Sequence, residues 1–246
     1  MNNYLPTDYQ AFIHTSRYAR WLDSEGRRES WPETVGRYMN DVVRRALDTD
    51  TIGIAKEIED AILSLNLMPS MRAMMTAGPA LDRDNTAGYN CSYLPVDDPK
   101  SFDEAMYILL CGTGVGFSVE RQFISKLPDV PELFESETTV VVKDSKEGWA
   151  KGFRQVLALL WAGEIPKWDV TRIRPAGARL KTFGGRASGP APLIELFNFA
   201  VSTFKAAQGR KLSSLECHDL MCFIGQVVVV GGVRRSAMIS LSNLSD

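Results

Sequence analysis

The sequence predicts an α/β protein in which a helical N-terminal region is followed by alternating strands and helices. Residues 1–66 carry helical patterns, whereas residues 67–246 carry short strand-like runs, glycine turns and amphipathic helices. Hydrophobic residues make up 45% of the chain and charged residues 24%, which is typical of a globular protein and excludes a disordered or collagen-like one. We therefore expect two regions, with a boundary between residues 66 and 67.

Three helices are expected in the N-terminal region. The first is amphipathic and strongly basic, and Gly26 follows it. Ser30 and Glu33 have the spacing of a capping box at the start of a second helix, and Pro69 closes the region. The expected helices cover residues 15–22, 31–47 and about 53–65.

Strands and helices are expected to alternate in the second region. Asp98 and Pro99 are typical of a helix N-cap and first turn, and the helix that follows is expected to bury Phe102, Ala105, Met106 and Leu109. A second capping box, Ser213 with Glu216, predicts a helix that ends near Gly231. The remaining expected helices cover residues 148–161 and 191–207, and the expected strands cover residues 89–94, 117–119, 138–142 and 237–241.

The charge balance and the N-terminus narrow the possible partners. Lys and Arg number 28 against 30 Asp and Glu, so no basic field favours nucleic acid, and we expect no direct nucleic-acid binding. No apolar run approaches the roughly 18 residues that span a bilayer. Residues 1–6 lack the basic and apolar segments of a secretory signal. The sequence therefore predicts a cytoplasmic protein without membrane contact.

Few metal-ligating residues are present. The only histidines are His14 and His218, and the four cysteines include no Cys-x-x-Cys pair. The sequence therefore predicts no metal site and little acid–base catalysis by histidine. Carboxylates, a thiol or a cofactor would have to perform any chemistry.

The four cysteines differ in their expected surroundings. Cys111 lies in an apolar helical run, and Cys217 and Cys222 are spaced so that they lie on different faces of one helix. We expect these three to be structural. Cys91 lies in a strand, where it is either a thiol that reaches a substrate or a buried thiol of suitable size.

Three glycine-rich turns could approach a ligand. Gly112–Gly116 does not match the dinucleotide-binding fingerprint, because a helix precedes it and a strand follows it. This segment is therefore either a place where a ligand approaches the backbone closely or an ordinary turn. Ser188–Pro190 precedes a helix and is either an anion site or an ordinary cap. Gly231–Arg235 offers two guanidinium groups, which either bind phosphate or base edges or are simply solvated.

Seven segments together carry a resemblance to a known family. They are Arg17–Leu22 with Gly26–Arg27, Pro69–Met74, Asn90–Cys91, Gly114–Val119, Arg174–Ala178, Phe183–Leu193 and Gly232–Ala237. In this order they resemble adenosylcobalamin-dependent (class II) ribonucleotide reductases, specifically the monomeric ribonucleoside-triphosphate type. The resemblance extends over nearly the whole chain.

The resemblance implies that residues 67–246 form the first half of a ten-stranded α/β barrel and take part in thiyl-radical chemistry with adenosylcobalamin as cofactor. In that chemistry a cysteine radical removes the ribose 3′-hydrogen, the 2′-hydroxyl leaves as water, and two further cysteines become a disulfide. Cys91 matches the first member of this reducing pair. The implied partners are a ribonucleoside triphosphate, a deoxynucleotide effector, a thioredoxin-like reductant and a complementary C-terminal half.

The same resemblance implies two sets of binding residues. The substrate is expected at Ala73, Asn90, Gly114 and Arg234. Arg234 would also relay the identity of the effector to the substrate base. The effector is expected at Asp98, Ser118, Arg121, Gly231, Gly232 and Arg235.

Two departures from the family pattern qualify these expectations. The Asn-Pro-Cys-Gly-Glu segment that carries the radical cysteine does not occur, so the chain alone is expected to be inactive. Only about twenty residues separate Ser125 from Gly148, so a long insertion of the monomeric branch is expected to be shortened or lost. The alternatives are a non-catalytic nucleotide-binding module derived from this family and a fragment of a di-iron reductase.

Overall fold

The computed structural model describes residues 4–48, 51–178, 186–230 and 237–246. Two compact units divide the chain, Met1–Asn90 and Cys91–Asp246. The strand predicted over residues 89–94 is observed at Cys91–Pro95, so the described strands after residue 67 all lie in the second unit. Short helices lie between residue 67 and Cys91. The boundary between residues 66 and 67 stays a prediction.

The first unit consists of short helices and one small hairpin. π-helical turns at His14–Tyr18 and Met39–Val43 continue its first two helices, and 3₁₀ turns lie at Ile52–Ile54 and Asn85–Gly88. Its helices are α1 (Asp8–Ile13), α2 (Trp31–Tyr38), α3 (Arg44–Ala46), α4 (Ala55–Leu63), α5 (Met71–Thr76) and α6 (Pro79–Arg83), and its strands are β1 (Trp21–Leu22) and β2 (Arg27–Arg28).

The prediction of a helix over residues 15–22 is wrong for the second half of this range. The helical backbone ends at Tyr18, and Ala19 is already extended. Trp21 and Leu22 then pair antiparallel with Arg28 and Arg27. The turn contains Gly26 at φ +65°, a conformation that glycine adopts without strain, so the chain can reverse and pair instead of continuing the helix.

The capping box that the sequence predicts for α2 is confirmed. Glu33 accepts a hydrogen bond from the main-chain N–H of Ser30 at 2.6 Å, and Trp31, at the first position of the helix, is 2% exposed. Around Trp31 the apolar core of this unit is formed by Val35, Met39, Ala55, Ile62 and Met74. Because Met74 belongs to α5, the segment after Pro69 is part of the same core.

The second unit alternates strands and helices, as predicted for an α/β protein. Its helices are α7 (Ser101–Leu110), α8 (Arg121–Ile124), α9 (Lys146–Trp161), α10 (Ala191–Ala206) and α11 (Ser214–Val230), and its strands are β3 (Cys91–Pro95), β4 (Gly114–Ser118), β5 (Phe134–Val141), β6 (Glu164–Asp169) and β7 (Met238–Leu241).

The strand pairs that the structure describes in the second unit are all parallel. One sheet has the order β3-β4-β7, and a separate pair joins β5 to β6. The α/β class is therefore confirmed. Five described strands do not establish half of a ten-stranded barrel, and that finer architecture stays a prediction.

Helix patterns in the second unit are confirmed with one correction. Phe102, Ala105, Met106 and Leu109 of α7 are all fully buried, as the apolar spacing predicts. Asp98 is not the N-cap residue of α7, because that position belongs to Lys100. The Asp98 carboxylate instead accepts a hydrogen bond from the Lys100 N–H at 2.8 Å, which forms a turn just before the helix.

The capping box of α11 has the predicted hydrogen bonds. Glu216 accepts from the Ser213 N–H at 2.8 Å, and the Glu216 N–H donates to the Ser213 hydroxyl at 3.2 Å. Arg210 also binds the Glu216 carboxylate through two 2.7 Å contacts. The hydrogen bonds from Arg210 lower the pKa of Glu216 most, and those from the Ser213 N–H and hydroxyl lower it further. Together they outweigh partial burial and bring this pKa to about 2.

Candidate functional site

Cys91 is the first residue of β3 and is exposed. In the parallel register it lies opposite Gly114, the first residue of β4. Side chains alternate between the two faces of a strand, so Cys91 shares a face with Tyr93 and with the glycines of β4. The structure thus brings together two of the predicted site residues, Cys91 and Gly114.

The face that carries Cys91 is largely exposed, and we call it the open face. Tyr93, Gly116 and Ile239 form one row across the three strands of this face. Tyr93 is 56% exposed and Ile239 is 63% exposed. A Cβ atom at Gly116 would lie 3.3 Å from Ile239 Cγ2 and 3.9 Å from Tyr93 Cδ2. Because Gly116 has no side chain, the backbone of the central strand is uncovered between the side chains of Tyr93 and Ile239.

The opposite face of the same sheet belongs to the apolar core. Leu94, Val115 and Phe117 lie on this face and are at most 8% exposed. Between β3 and β4, the Ser92 hydroxyl donates to the Gly114 carbonyl at 3.0 Å. Parallel sheets are usually covered on both faces, so a parallel sheet with one exposed apolar face is unusual.

Three of the predicted effector residues lie near the ends of β3 and β4. Asp98 is exposed and is engaged in the turn before α7. Ser118 is fully buried, and its hydroxyl donates to a Glu120 carboxylate oxygen at 2.7 Å. The exposed guanidinium of Arg121 donates to the main-chain oxygen of Ser245. Each of these side chains has a partner within the chain.

The other predicted effector residues and one substrate residue cannot be placed. Gly231, Gly232, Arg234 and Arg235 lie outside the described residues. The two remaining substrate residues, Ala73 and Asn90, belong to the first unit. Ala73 lies within the short helix α5, and Asn90 is exposed at the end of the unit.

Cys111 and Cys217 are buried, in agreement with the structural role predicted for them, whereas Cys222 is exposed. Cys111 is 1% exposed and Cys217 is 0% exposed. Burial, with a smaller effect from Glu216, raises the pKa of Cys217 to about 12, so this thiol stays protonated. The Lys146 amine lies 3.1 Å from the Cys111 sulfur, a contact that joins α9 to the end of α7.

Cys222 and His218 are neighbours on α11 that the sequence analysis did not connect. The Cys222 sulfur lies 3.5 Å from His218 Nε2, and His218 Nδ1 lies 3.0 Å from the Asp219 carboxylate. Desolvation and the negative charge of Asp219 raise the pKa of Cys222. A raised pKa keeps the thiol protonated, so this arrangement does not make Cys222 an activated nucleophile.

The described residues offer no metal centre. Among them, no group of three or more His, Cys, Asp and Glu side chains could hold a metal ion. One cavity of about 560 Å³ lies in the first unit, and its lining is mostly charged, including Asp41, Arg45 and Asp82. Cofactor pockets are mainly apolar, so this cavity does not fit a large organic cofactor. Within the same described ranges, no helix is both long and apolar enough to cross a membrane.

Comparisons with known proteins show which family the chain resembles. Residues 129–203 match a family model described as the insertion domain of B12-dependent ribonucleotide reductase. An adenosylcobalamin-dependent ribonucleoside-triphosphate reductase from Lacticaseibacillus paracasei is 30% identical over 93% of this chain. Over nearly its whole length the chain is therefore similar to the adenosylcobalamin-dependent (class II) ribonucleotide reductases. Proteins of the same name from Lactobacillus delbrueckii subsp. bulgaricus and Lactobacillus leichmannii are 27% and 26% identical.

The fold agrees with this class II family. A crystal structure of a B12-dependent (class II) ribonucleotide reductase matches 96% of this chain with a TM-score of 0.81 and 23% identity. The chain covers 42% of that structure and 40% of the length of the curated relatives. It therefore corresponds to a part of a class II reductase.

The family match corrects one expectation about the insertion. Insertion-domain sequence is present at residues 129–203, so the expectation that it is lost is wrong. The alignment with the Lacticaseibacillus paracasei relative extends over 306 positions, which exceeds all 246 residues of this chain. The alignment therefore contains positions that the chain lacks, and a shortened insertion stays a prediction.

Proposed function

We propose that this chain is the N-terminal part of a ribonucleoside-triphosphate reductase that makes deoxyribonucleotides with adenosylcobalamin. In this proposal it supplies one redox-active cysteine, part of the substrate pocket and the effector loops. A complementary C-terminal half supplies the radical cysteine, the second reducing cysteine and most contacts to the cofactor. Alone, the chain has no reductase activity.

The open face of the parallel sheet carries this proposal. It presents Cys91, Tyr93 and Ile239 to solvent, although parallel sheets normally have both faces covered. A second set of strands closing a barrel would cover this face and enclose Cys91. Half of a ten-stranded barrel is the architecture that the resemblance implies for residues 67–246, and the open face supports it.

Cys91 acts in this proposal as one thiol of the reducing pair. The ribose loses its 2′-hydroxyl as water, and two thiols lose their hydrogens and become a disulfide, so one ribonucleotide gives one deoxynucleotide. A disulfide needs Cβ atoms about 3.5–4.5 Å apart. Cys111 and Cys217 are buried in the core and Cys222 lies on helix α11, so we place the partner cysteine on a strand of the complementary half. A thioredoxin-like protein then reduces the disulfide.

The binding residues keep the roles that the resemblance implies. In the proposal Ala73 and Asn90 lie by the substrate phosphates, and Gly114 allows the nucleotide to approach the sheet. Gly114 and Gly116 of β4 carry no side chain on the open face, which supports this role for Gly114. The effector would contact the region of Asp98, Ser118 and Arg121, with Gly231, Gly232 and Arg235 in the loop that communicates with Arg234.

The two alternatives are less well supported. The curated relatives are named adenosylcobalamin-dependent triphosphate reductases, which does not favour a di-iron enzyme. A nucleotide-binding module without chemistry would have no need of an exposed thiol on the open face.

A complementation assay tests the proposal. We would mix the chain with the C-terminal half of the Lacticaseibacillus paracasei reductase, a ribonucleoside triphosphate, adenosylcobalamin and a dithiol. Deoxynucleotide should form in the mixture but with neither half alone. Turnover by the chain alone, or none by a mixture in which the two halves demonstrably associate, would contradict the proposal.

A further inference from the structure

Two of the segments that carry the family resemblance meet within the first unit. Arg20 belongs to the segment Arg17–Leu22, and α5 belongs to the segment Pro69–Met74 and the residues just after it. The Arg20 guanidinium donates hydrogen bonds to the main-chain oxygens of Met75 at 3.3 Å and Thr76 at 3.0 Å. The basic segment is thus tied to the end of α5.

A second arginine completes this arrangement. Arg37 donates to the main-chain oxygens of Met74 at 2.8 Å and Ala77 at 3.0 Å. Together the two guanidinium groups bind four consecutive carbonyls, those of residues 74–77. A helix leaves its last carbonyls without intrahelical partners, so the arginines satisfy groups that would otherwise be buried and unpaired.

Glu29 holds both arginines in place. Its carboxylate accepts two hydrogen bonds from the Arg37 guanidinium, at 2.7 and 2.8 Å, and one from the Arg20 main-chain N–H at 3.0 Å. Glu29 is 7% exposed. Burial alone would raise its pKa, but the hydrogen bonds from Arg37 and Arg20 and the charge of Arg37 outweigh burial and lower it. The carboxylate therefore stays ionised, and we call Glu29, Arg20 and Arg37 the α5 clamp.

The chain is also constrained where it leaves the α5 clamp. Gly78 has φ +92°, which residues with a side chain rarely adopt. A Cβ atom there would lie 2.9 Å from an Asp41 carboxylate oxygen. Arg37 of α2 thus holds the end of α5 through hydrogen bonds, and the close approach of Asp41 leaves room only for glycine in the turn after it.

Ala73 lies one residue before the first carbonyl that the α5 clamp binds. Resting on the proposed function, in which Ala73 lies by the substrate phosphates, we propose that the α5 clamp positions this segment for the ribonucleoside triphosphate. Its residues are positioning residues that act through α5. Lysine cannot replace either arginine, because one ammonium group cannot reproduce the planar set of donors that reaches two carbonyls.

The substitutions Arg37→Lys and Arg20→Lys test this inference in the chain mixed with its complementary half. Arg27→Lys is the matched control, because Arg27 pairs with Glu33 at the surface of the same unit. A displaced α5 should raise KM for the triphosphate on the order of 10- to 100-fold and leave kcat little changed, whereas the control should match the wild type. Arg20→Lys retains the Glu29–Arg37 pair, so it provides the measurement if Arg37→Lys does not fold.

Three outcomes separate the inference from the function on which it rests. A raised KM in folded variants supports the α5 clamp. An unchanged KM in folded variants, beside an active wild type, overturns the α5 clamp and leaves the proposed function intact. No turnover by the associated wild-type halves overturns both.

Discussion

Cys91 differs from the other thiols of the chain in its surroundings. Cys111 and Cys217 are buried, and Cys222 lies on a helix where its pKa is raised. Cys91 is exposed at the start of β3 and lies beside Gly114, its register partner on the neighbouring strand β4. Its position in a strand could be predicted from the sequence, but its exposure could not, because exposure depends on which face of the sheet the helices cover.

Replacing Cys91 with serine should abolish multiple turnover in the complemented enzyme. Serine is nearly isosteric with cysteine, so folding should survive, but no disulfide can form and the dithiol cannot renew the site. The measurement is deoxynucleotide formed per chain with dithiol in excess. Cys222→Ser is the control and should retain turnover, since Cys222 is also exposed but lies on α11. Full activity of Cys91→Ser would show that this thiol has no redox role.

The helices of the second unit could largely be predicted from local sequence. The α7 face and the start of α11 follow from apolar spacing and from one capping box, which are local signals. The segment 15–22 could not be predicted, because strand pairing with Arg27 and Arg28 ends the helix there. The α5 clamp could not be predicted either, since Arg20 and Met75 are 55 residues apart in the chain.

Gly148→Ala should destabilise the start of α9. An added methyl group would overlap the main-chain oxygen of Lys143, which is backbone and cannot move aside like a side chain. The Gly148 N–H also donates to the Ser145 hydroxyl at 2.9 Å and would be displaced with it. We expect a loss of about 1–3 kcal/mol or more in the free energy of unfolding, measured by urea denaturation.

Gly36→Ala is the control for that measurement. Gly36 lies inside α2, and apart from its neighbours in the chain and the backbone of its own helix, no heavy atom lies within 4 Å of the position that its Cβ would take. Alanine there should stabilise the protein by about 0.5–1 kcal/mol, because glycine loses more backbone freedom in a helix. Equal stability of Gly148→Ala and the wild type would show that α9 does not pack as the structure has it.

The open face should make the isolated chain associate. Tyr93, Ile239 and Leu241 are exposed there, and uncovered apolar strands offer a template for another chain. Sedimentation should show oligomers for the wild type, and Ile239→Asp should shift them towards monomer. Tyr9→Asp is the control, since Tyr9 is 72% exposed but lies in the other unit. A wild type that sediments as a monodisperse monomer would argue against a missing layer over this face.

The disulfide state of Cys91 after turnover is the most informative observable for the whole molecule. The complemented enzyme would receive a ribonucleoside triphosphate and adenosylcobalamin without dithiol, then be alkylated, digested and analysed by mass spectrometry. We predict a disulfide between Cys91 and a cysteine of the complementary half, formed in proportion to the deoxynucleotide, while Cys222 is alkylated. Deoxynucleotide formed while Cys91 remains an alkylatable thiol would contradict its assignment as a reducing cysteine.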